Sequence, residues 1–371
     1  MRKRYFPIWS PALALSLALA GCSFIPQLQR PAAPVAPAWP QAADGQLEAT
    51  ALPWRAAFPD PRLQALIEAA LEHNRDLKIA VARVAEARAQ YGVTRADRLP
   101  TLNLGAAHNS ARLPADLSSS GNPMVTRRND LNVAVPAFEL DFWGRVASLS
   151  ESAKASYLAS EEAQRAFRLS LVANVADAYL SQKEAEERLA LARTTLASRE
   201  ETRGLIAKRR DAGLAGDLDF LAADSAVQTA QAETASLARQ RAQAENFLVS
   251  LAGMPSLPPS ADWPQGVPLA QQDIVAELGA GIPAEVLLRR PDIRAAEQRL
   301  VAANAHIGAA RAAFFPRISL TAALGVASSG LSGLFDGGSG AWTFQPALAL
   351  PLFDSGRNRA NLDLAEARRH I

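Results

Sequence analysis

Polar and apolar residues follow two different periods along this chain, and the change from one to the other occurs twice. Residues 74–98 are alanine-rich with apolar positions at helical spacing. After Pro100 polar and apolar residues alternate, as a strand requires. The same arrangement returns 216 positions later without a gap, so that Asp76, Arg83, Gly92, Arg95 and Pro100 recur as Asp292, Arg299, Gly308, Arg311 and Pro316. Proline has no N–H to donate and cannot continue a helix. Pro100 and Pro316 therefore predict two junctions at which a helix, the first of them beginning near Leu63 and ending near Arg98, feeds directly into a strand. The interruption at Asn74, Arg75 and Asp76 predicts a break or cap inside the first helix.

Four strands are expected, over residues 101–107, 131–138, 318–326 and 342–345. Leu131, Val133 and Val135 share one face of the second. Ile318, Leu320, Ala322, Leu324 and Val326 alternate with Ser319, Thr321, Ala323 and Gly325 in the third, and Trp342 and Phe344 alternate with polar neighbours in the fourth. One apolar and one small or polar face fits a lipid-facing barrel strand with a wet lumen, and equally a soluble two-layer sheet. Four strands cannot close a barrel, because a membrane barrel needs at least about eight and no free edge. If these strands span a membrane, several chains share one barrel.

Between the two copies, residues 145–203 contain neither Gly nor Pro. At 1.5 Å per residue this predicts a helix of roughly 90 Å. Leu169, Val172, Ala176 and Tyr179 follow 3-4-3 spacing, as Leu189, Ala192 and Leu196 do in part, which predicts coiled-coil packing. Residues 211–217 then break the pattern. Gly213 and Gly216 can take left-handed backbone angles, and Asp217 can cap a returning helix that runs through Phe220, Ala244, Leu248 and Leu251 to Gly253. The prediction is a long antiparallel helical hairpin whose tip carries Gly213, Leu214, Asp217 and Asp219. The aspartates there serve capping and solubility, or a channel entrance.

Composition narrows the function classes. The net charge of +2 gives no reason to expect a nucleic-acid partner, and a single cysteine excludes an internal disulfide and a cysteine-based zinc site. The four histidines show no metal-ligand spacing, and HExxH, GxSxG and phosphate-binding glycine motifs are absent, so neither an enzyme nor a cofactor is expected. The N-terminus carries Arg2, Lys3 and Arg4, then an apolar stretch, then Leu19-Ala20-Gly21-Cys22. That context resembles the bacterial lipobox, with Cys22 as the lipid attachment residue. Ser23 after it, in place of an aspartate, favours sorting to the outer membrane. Residues 22–52, rich in Pro and Ala, read as a tether.

Ile282-Pro283-Ala284-Glu285-Val286-Leu287-Leu288-Arg289-Arg290-Pro291-Asp292-Ile293-Arg294, continuing to Phe314-Phe315-Pro316, resembles the signature of outer-membrane efflux lipoproteins, the OprM/NodT branch of the TolC-like outer-membrane factors. Glu139-Leu140-Asp141-Phe142-Trp143-Gly144-Arg145 and Leu352-Phe353-Asp354-Ser355-Gly356-Arg357 are similar to its other motifs. The resemblance implies a mainly α protein with membrane β. Long antiparallel helical hairpins form an α-barrel and continue into four strands per chain of a trimeric twelve-stranded outer-membrane β-barrel. It implies a homotrimer anchored by lipid in the cell outer membrane and extending into the periplasm. Its role would be to export drugs or other small molecules with a periplasmic adaptor (membrane fusion) protein and an inner-membrane pump of the resistance-nodulation-division (RND) type. Gly213 and Leu214 match tip positions that contact the adaptor in the family.

The expected organisation is a signal peptide over residues 1–21, the tether over 22–52, a first structural repeat over 53–260 and a second over 261–371. The second repeat reaches Gly356, the counterpart of Gly144, and stops at Ile371, so it is truncated before its own hairpin is complete. The alternative reading is a periplasmic adaptor lipoprotein, which also combines a lipobox with one long hairpin but lacks duplicated helix-to-strand units.

Overall fold

The protein is described by a computed structural model covering residues 23–29, 53–257, 263–274 and 284–371. Cys22 and most of the tether lie outside the described residues. A short helix α1 (Trp54–Ala57) precedes α2 (Pro61–His73) and α3 (Arg75–Ala96). Strands β1 (Asn103–Leu113) and β2 (Met124–Glu139) follow, then the long pair α4 (Arg145–Asp211) and α5 (Asp217–Ala252). Next come α6 (Pro291–Ala312), β3 (Arg317–Ser328), β4 (Gly340–Ala349) and α7 (Arg357–His370). Helices α3 and α6 have the same 22-residue length at the same 216-residue shift. Each ends a few residues before its proline.

Two compact units divide the chain. One comprises residues 33–84 and 160–294, and its core is helical. Leu63, Leu66, Ile67 and Ala70 of α2 pack with Leu171, Val172, Val175, Ala176 and Tyr179 of α4 and Leu248 of α5. Of the expected seam, Val172, Ala176 and Tyr179 are buried in this core. Leu169 is exposed, while Leu171, Val175 and Ala178, off the 3-4-3 template, are buried. A third element, α2, covers α4 here and widens the stripe it buries beyond a two-helix seam. Farther along the hairpin Leu189, Ala192 and Leu237 form a separate small cluster, and Leu196 is only half-buried.

Asn74 explains the break between α2 and α3. Its Oδ1 accepts a hydrogen bond from Leu77 N–H (2.8 Å), capping α3, and its Nδ2 donates to Leu251 O (2.9 Å) at the end of α5. Gly253, at φ 67°, packs against the backbone of His73 and Asn74, where a Cβ would overlap it. Asp60 organises the same unit from the N-cap of α2. Its Oδ1 accepts from Arg62 and Leu63 N–H (2.8 and 3.3 Å), and its Oδ2 from Tyr179 O–H, Gln272 Nε2 and Val267 N–H (2.8, 2.8 and 3.1 Å). Burial pushes this carboxyl up, but the hydrogen bonds from Tyr179, Gln272 and the backbone outweigh it and hold it below the ordinary carboxylate range. The Tyr179 hydroxyl is pushed well up by burial and by the anionic Asp60.

The other unit comprises, among the described residues, 23–29, 85–159 and 295–371 and contains an antiparallel four-stranded sheet in the order β1-β2-β3-β4. Strands β1 and β2 are longer than the alternation predicts, because residues 107–113 pair with 124–130. That ribbon is polar on both sides, so it carries no period-2 signal to read. Among the strand residues only Asn129 is buried. Alanine and glycine positions let α6 pack closely in this unit: Gly308 faces Ile25 and Ser148 at distances that leave no room for a Cβ. Its counterpart Gly92 in α3 faces open space, and Ile79, Val81 and Val93 of α3 are exposed.

Candidate functional site

Pairing across the sheet sorts its residues into two faces. Leu104, Val133, Leu324 and Trp342 stand in one row, partner against partner across all four strands. Leu324 and Trp342 are 70% and 74% exposed. Adjacent rows on the same face hold Ala106, Leu131, Val326 and Gly340 on one side and Val135, Ala322 and Phe344 on the other. The opposite face carries Asn103, Ala134, Ala323 and Thr343 in one row and Gly105, Asn132, Gly325 and Ala341 in the next. The sheet is therefore apolar on one side and small or polar on the other, as its alternation predicted.

A β-bulge protects that separation. Val135 pairs with Ala322 and Phe138 with Leu320, so β2 carries one extra residue at Pro136-Ala137. Ala137 takes φ 46° and its N–H is satisfied by Thr321 Oγ1 (3.2 Å), while proline lacks the ladder N–H altogether. Without the extra residue Phe138 would fall on the polar face. With it, Phe138 rejoins Leu320 and Pro346 on the apolar one. From Ile318 to Val326 the apolar face extends about 27 Å along the strand, or about 21 Å of height at a strand tilt of about 40°, close to the roughly 25 Å apolar band of a membrane barrel.

The junction between strands and helices is held by charge and by rings. Glu139, at the end of β2, accepts two bonds from Arg145 (2.7 Å each), at the start of α4, and is bridged by Arg317 (2.6 Å), at the start of β3. Trp143 donates from Nε1 to Pro316 O (2.8 Å) and stacks on Phe315, which stacks in turn on Phe24. Pro316 thus accepts a tryptophan hydrogen bond as well as following the end of α6. Pro100 is exposed, between the end of α3 and the start of β1. Phe24, Ile25 and Pro26, just beyond Cys22, lie against α6, where Asn304 Nδ2 donates to Pro26 O (2.7 Å). Sequence reading missed this docked segment; Asn304 lies between Ala303 and Ala305 in a helix that carries several other polar residues, so only its burial in the structure singles it out.

The hairpin tip is a separate site. Gly213 takes φ 74°, its N–H bonds Arg210 O (2.9 Å) and Leu214 N–H bonds Arg209 O (2.7 Å), the Schellman arrangement of a helix stop. An added Cβ at Gly213 meets nothing in this chain, so its backbone angle is what requires glycine, not a close helix approach. Two further expectations are corrected. Gly216 has φ −83° rather than a left-handed angle, and it, not Asp217, is the N-cap of α5. Asp219 carries the capping bond, accepting from Gly216 N–H (3.2 Å), while Asp217 lies in the first helical turn. Asp211 pairs with Arg210 (3.1 Å). Acidic groups at the start of α5 and Lys208, Arg209 and Arg210 at the end of α4 complement the two helix dipoles. Leu214 is 70% exposed beside a shallow groove lined by Leu205, Ile206 and Ala212.

No helix among the described residues is long and apolar enough to cross a membrane, and no metal-binding cluster is found among them. The comparison with known proteins then decides the family: residues 66–254 and 282–371 match the outer membrane efflux protein family. The chain belongs to that family. It is 48% identical over 374 aligned residues to outer membrane protein OprJ of Pseudomonas aeruginosa, covering 100% of this chain and 76% of OprJ. A crystal structure of a membrane protein from Pseudomonas aeruginosa superposes with a TM-score of 0.86 at 49% identity, covering 94% of this chain and 78% of that one. The open state of the Neisseria gonorrhoeae MtrE outer membrane channel matches at 42% identity and a TM-score of 0.81, over 94% of this chain and 77% of that one. As an outer membrane efflux protein the chain is a channel component of an efflux system, a transporter part. The adaptor alternative is set aside by the same match.

Proposed function

We propose that three copies of this chain close a twelve-stranded barrel in the outer membrane, with β4 of one copy pairing with β1 of the next. The row Leu104, Val133, Leu324 and Trp342, exposed on a sheet whose two edge strands lack an outer partner among the described residues, carries this reading. An open sheet edge cannot stand in lipid, and copies of the same sheet can close it without new chemistry. The exposed apolar side chains of α3 are a further surface for neighbouring helices to cover. Drugs or other small molecules pass through the duct, driven by an inner-membrane pump of the RND type and delivered through a periplasmic adaptor. Acylated Cys22 adds a lipid anchor, and the docking of Phe24, Ile25 and Pro26 beside the strand–helix junction supports that placement.

The adaptor meets the hairpin tip at Leu214, with Gly213, Asp217 and Asp219 shaping the turn. An exposed leucine in the second residue of a Schellman stop supports this, since the stop itself does not need its side chain in water. Leu214→Glu leaves the helix stop intact and is expected to abolish efflux and cross-linking to the adaptor at unchanged trimer level. Gly213→Val instead strains a left-handed position and lowers protein level. Normal efflux and cross-linking in Leu214→Glu would refute the docking role, and the absence of trimers and of conductance in planar bilayers would refute the channel reading.

A further inference from the structure

We infer that the outward side of the β1–β2 ribbon binds the phosphorylated glycolipid of the outer leaflet through Arg112 and Arg127. The inference rests on the membrane reading of the apolar sheet face. Strand β3 ends at Ser328, opposite Asn129, so the pairs from Asn109 with Arg128 to Leu113 with Met124 project beyond the rest of the sheet. Following the apolar face outward from the row of Ala106, Leu131 and Val326, the next row is His108, Asn129 and Ser328. Beyond it come Ser110 with Arg127 and then Arg112 with Val125. The two arginines are diagonal neighbours on one face, which places them about 7–8 Å apart.

No carboxylate among the described residues is paired with them. The only carboxylates between Thr101 and Phe138 are Asp116 and Asp130. Asp130 stands on the polar face, paired with Arg128 (2.8 Å), and Asp116 lies in the turn that joins the strands. Neither Arg112 nor Arg127 forms an ion pair among the described residues, and both are exposed. Two adjacent guanidinium groups repel each other, and a phosphate between them removes the repulsion and supplies bidentate acceptors.

Height above the apolar band selects the lipid. Arg127 is four residues beyond Leu131 and Arg112 six beyond Ala106, which is about 14 and 20 Å along the ribbon at about 3.4 Å per residue. A strand tilt of about 40° reduces these to about 10 and 15 Å above the apolar band. A phospholipid headgroup layer reaches only roughly 5–8 Å beyond the hydrocarbon. A thicker layer of phosphorylated sugars matches both positions, whereas a phospholipid matches neither backbone height.

Purified trimers are tested for binding of lipopolysaccharide, enzymatically dephosphorylated lipopolysaccharide and phosphatidylglycerol by native mass spectrometry, with bilayer conductance recorded on the same preparation. The double variant Arg112→Gln/Arg127→Gln is compared with Arg128→Gln, whose side chain belongs to the other face. The expected result is a loss of lipopolysaccharide affinity of about 10- to 30-fold in the double variant, from the contribution of each surface arginine at an anionic headgroup. Arg128→Gln and the wild-type protein bind alike, and dephosphorylated lipopolysaccharide binds as weakly as the double variant. Equal binding by the double variant, or by the dephosphorylated lipid or phosphatidylglycerol, overturns the inference. Conducting trimers with that outcome leave the channel reading standing, and non-conducting trimers refute the channel instead.

Discussion

Replacing Asp60 tests how the helical unit is held together. The carboxylate accepts five hydrogen bonds while 2% exposed, and its partners Tyr179 and Gln272 are buried as well. Asp60→Ala removes the N-cap of α2, worth about 1 kcal/mol. It also strands the buried Tyr179 hydroxyl, at about 1–3 kcal/mol. Gln272 keeps a second bond, to Val267 O (2.9 Å), so its loss is smaller. The local cost is about 3–4 kcal/mol. Asparagine restores only part of this: its Oδ1 keeps the N-cap bonds, but its NH2 then faces the Val267 N–H and the Gln272 amide donors. Tyr179→Phe removes one donor and leaves Asp60 with four, costing about 1 kcal/mol. Hydrogen exchange at the Leu63 and Val267 amides reads this directly: about 140- to 700-fold faster opening in Asp60→Ala and about fivefold in Tyr179→Phe, at about tenfold per 1.4 kcal/mol. Because the folded pKa lies below the ordinary aspartate value of 3.8, the unfolded chain takes up the proton first as pH falls. The advantage of the wild type over Asp60→Ala is therefore complete above that value and disappears as pH drops through the lower folded pKa. Wild-type exchange in Asp60→Ala, a Tyr179→Phe effect as large, or a gap that widens in acid would each show this account to be wrong.

Two further outcomes follow from the other unit. Glu139→Gln is expected to lower the heat resistance of assembled trimers on gels more than Arg317→Ala does, because Glu139 faces both Arg145 and Arg317 whereas the Arg317 side chain is 61% exposed. Equal resistance would mean the cluster does not hold the junction. Mass spectrometry of the mature N-terminus is expected to show an acylated Cys22. Cys22→Ser removes the lipid while leaving trimers in the outer membrane, since the barrel anchors itself, and loss of the trimers from that membrane would count against it.

Sequence alone determined the periods and the places where they change. Two prolines at a 216-residue shift, a long run free of Gly and Pro, and a Gly213 stop were legible because each is a local property of the backbone or of one element's face. The alternation of β3 was legible for the same reason, one of its faces being uniformly apolar. Tertiary structure decided everything that needs a second element. The ribbon beyond Ala107 shows no alternation because both its sides are polar, so only pairing reveals it as strand. The bulge at Pro136-Ala137 becomes visible when β3 is counted against β2, and Leu169 is exposed because α2 covers the neighbouring turn of α4 instead. Asp60 is not singled out by the sequence, and the structure shows it as the N-cap of α2. Its bonds to Tyr179, Val267 and Gln272 join residues more than a hundred positions apart, and no local period encodes them.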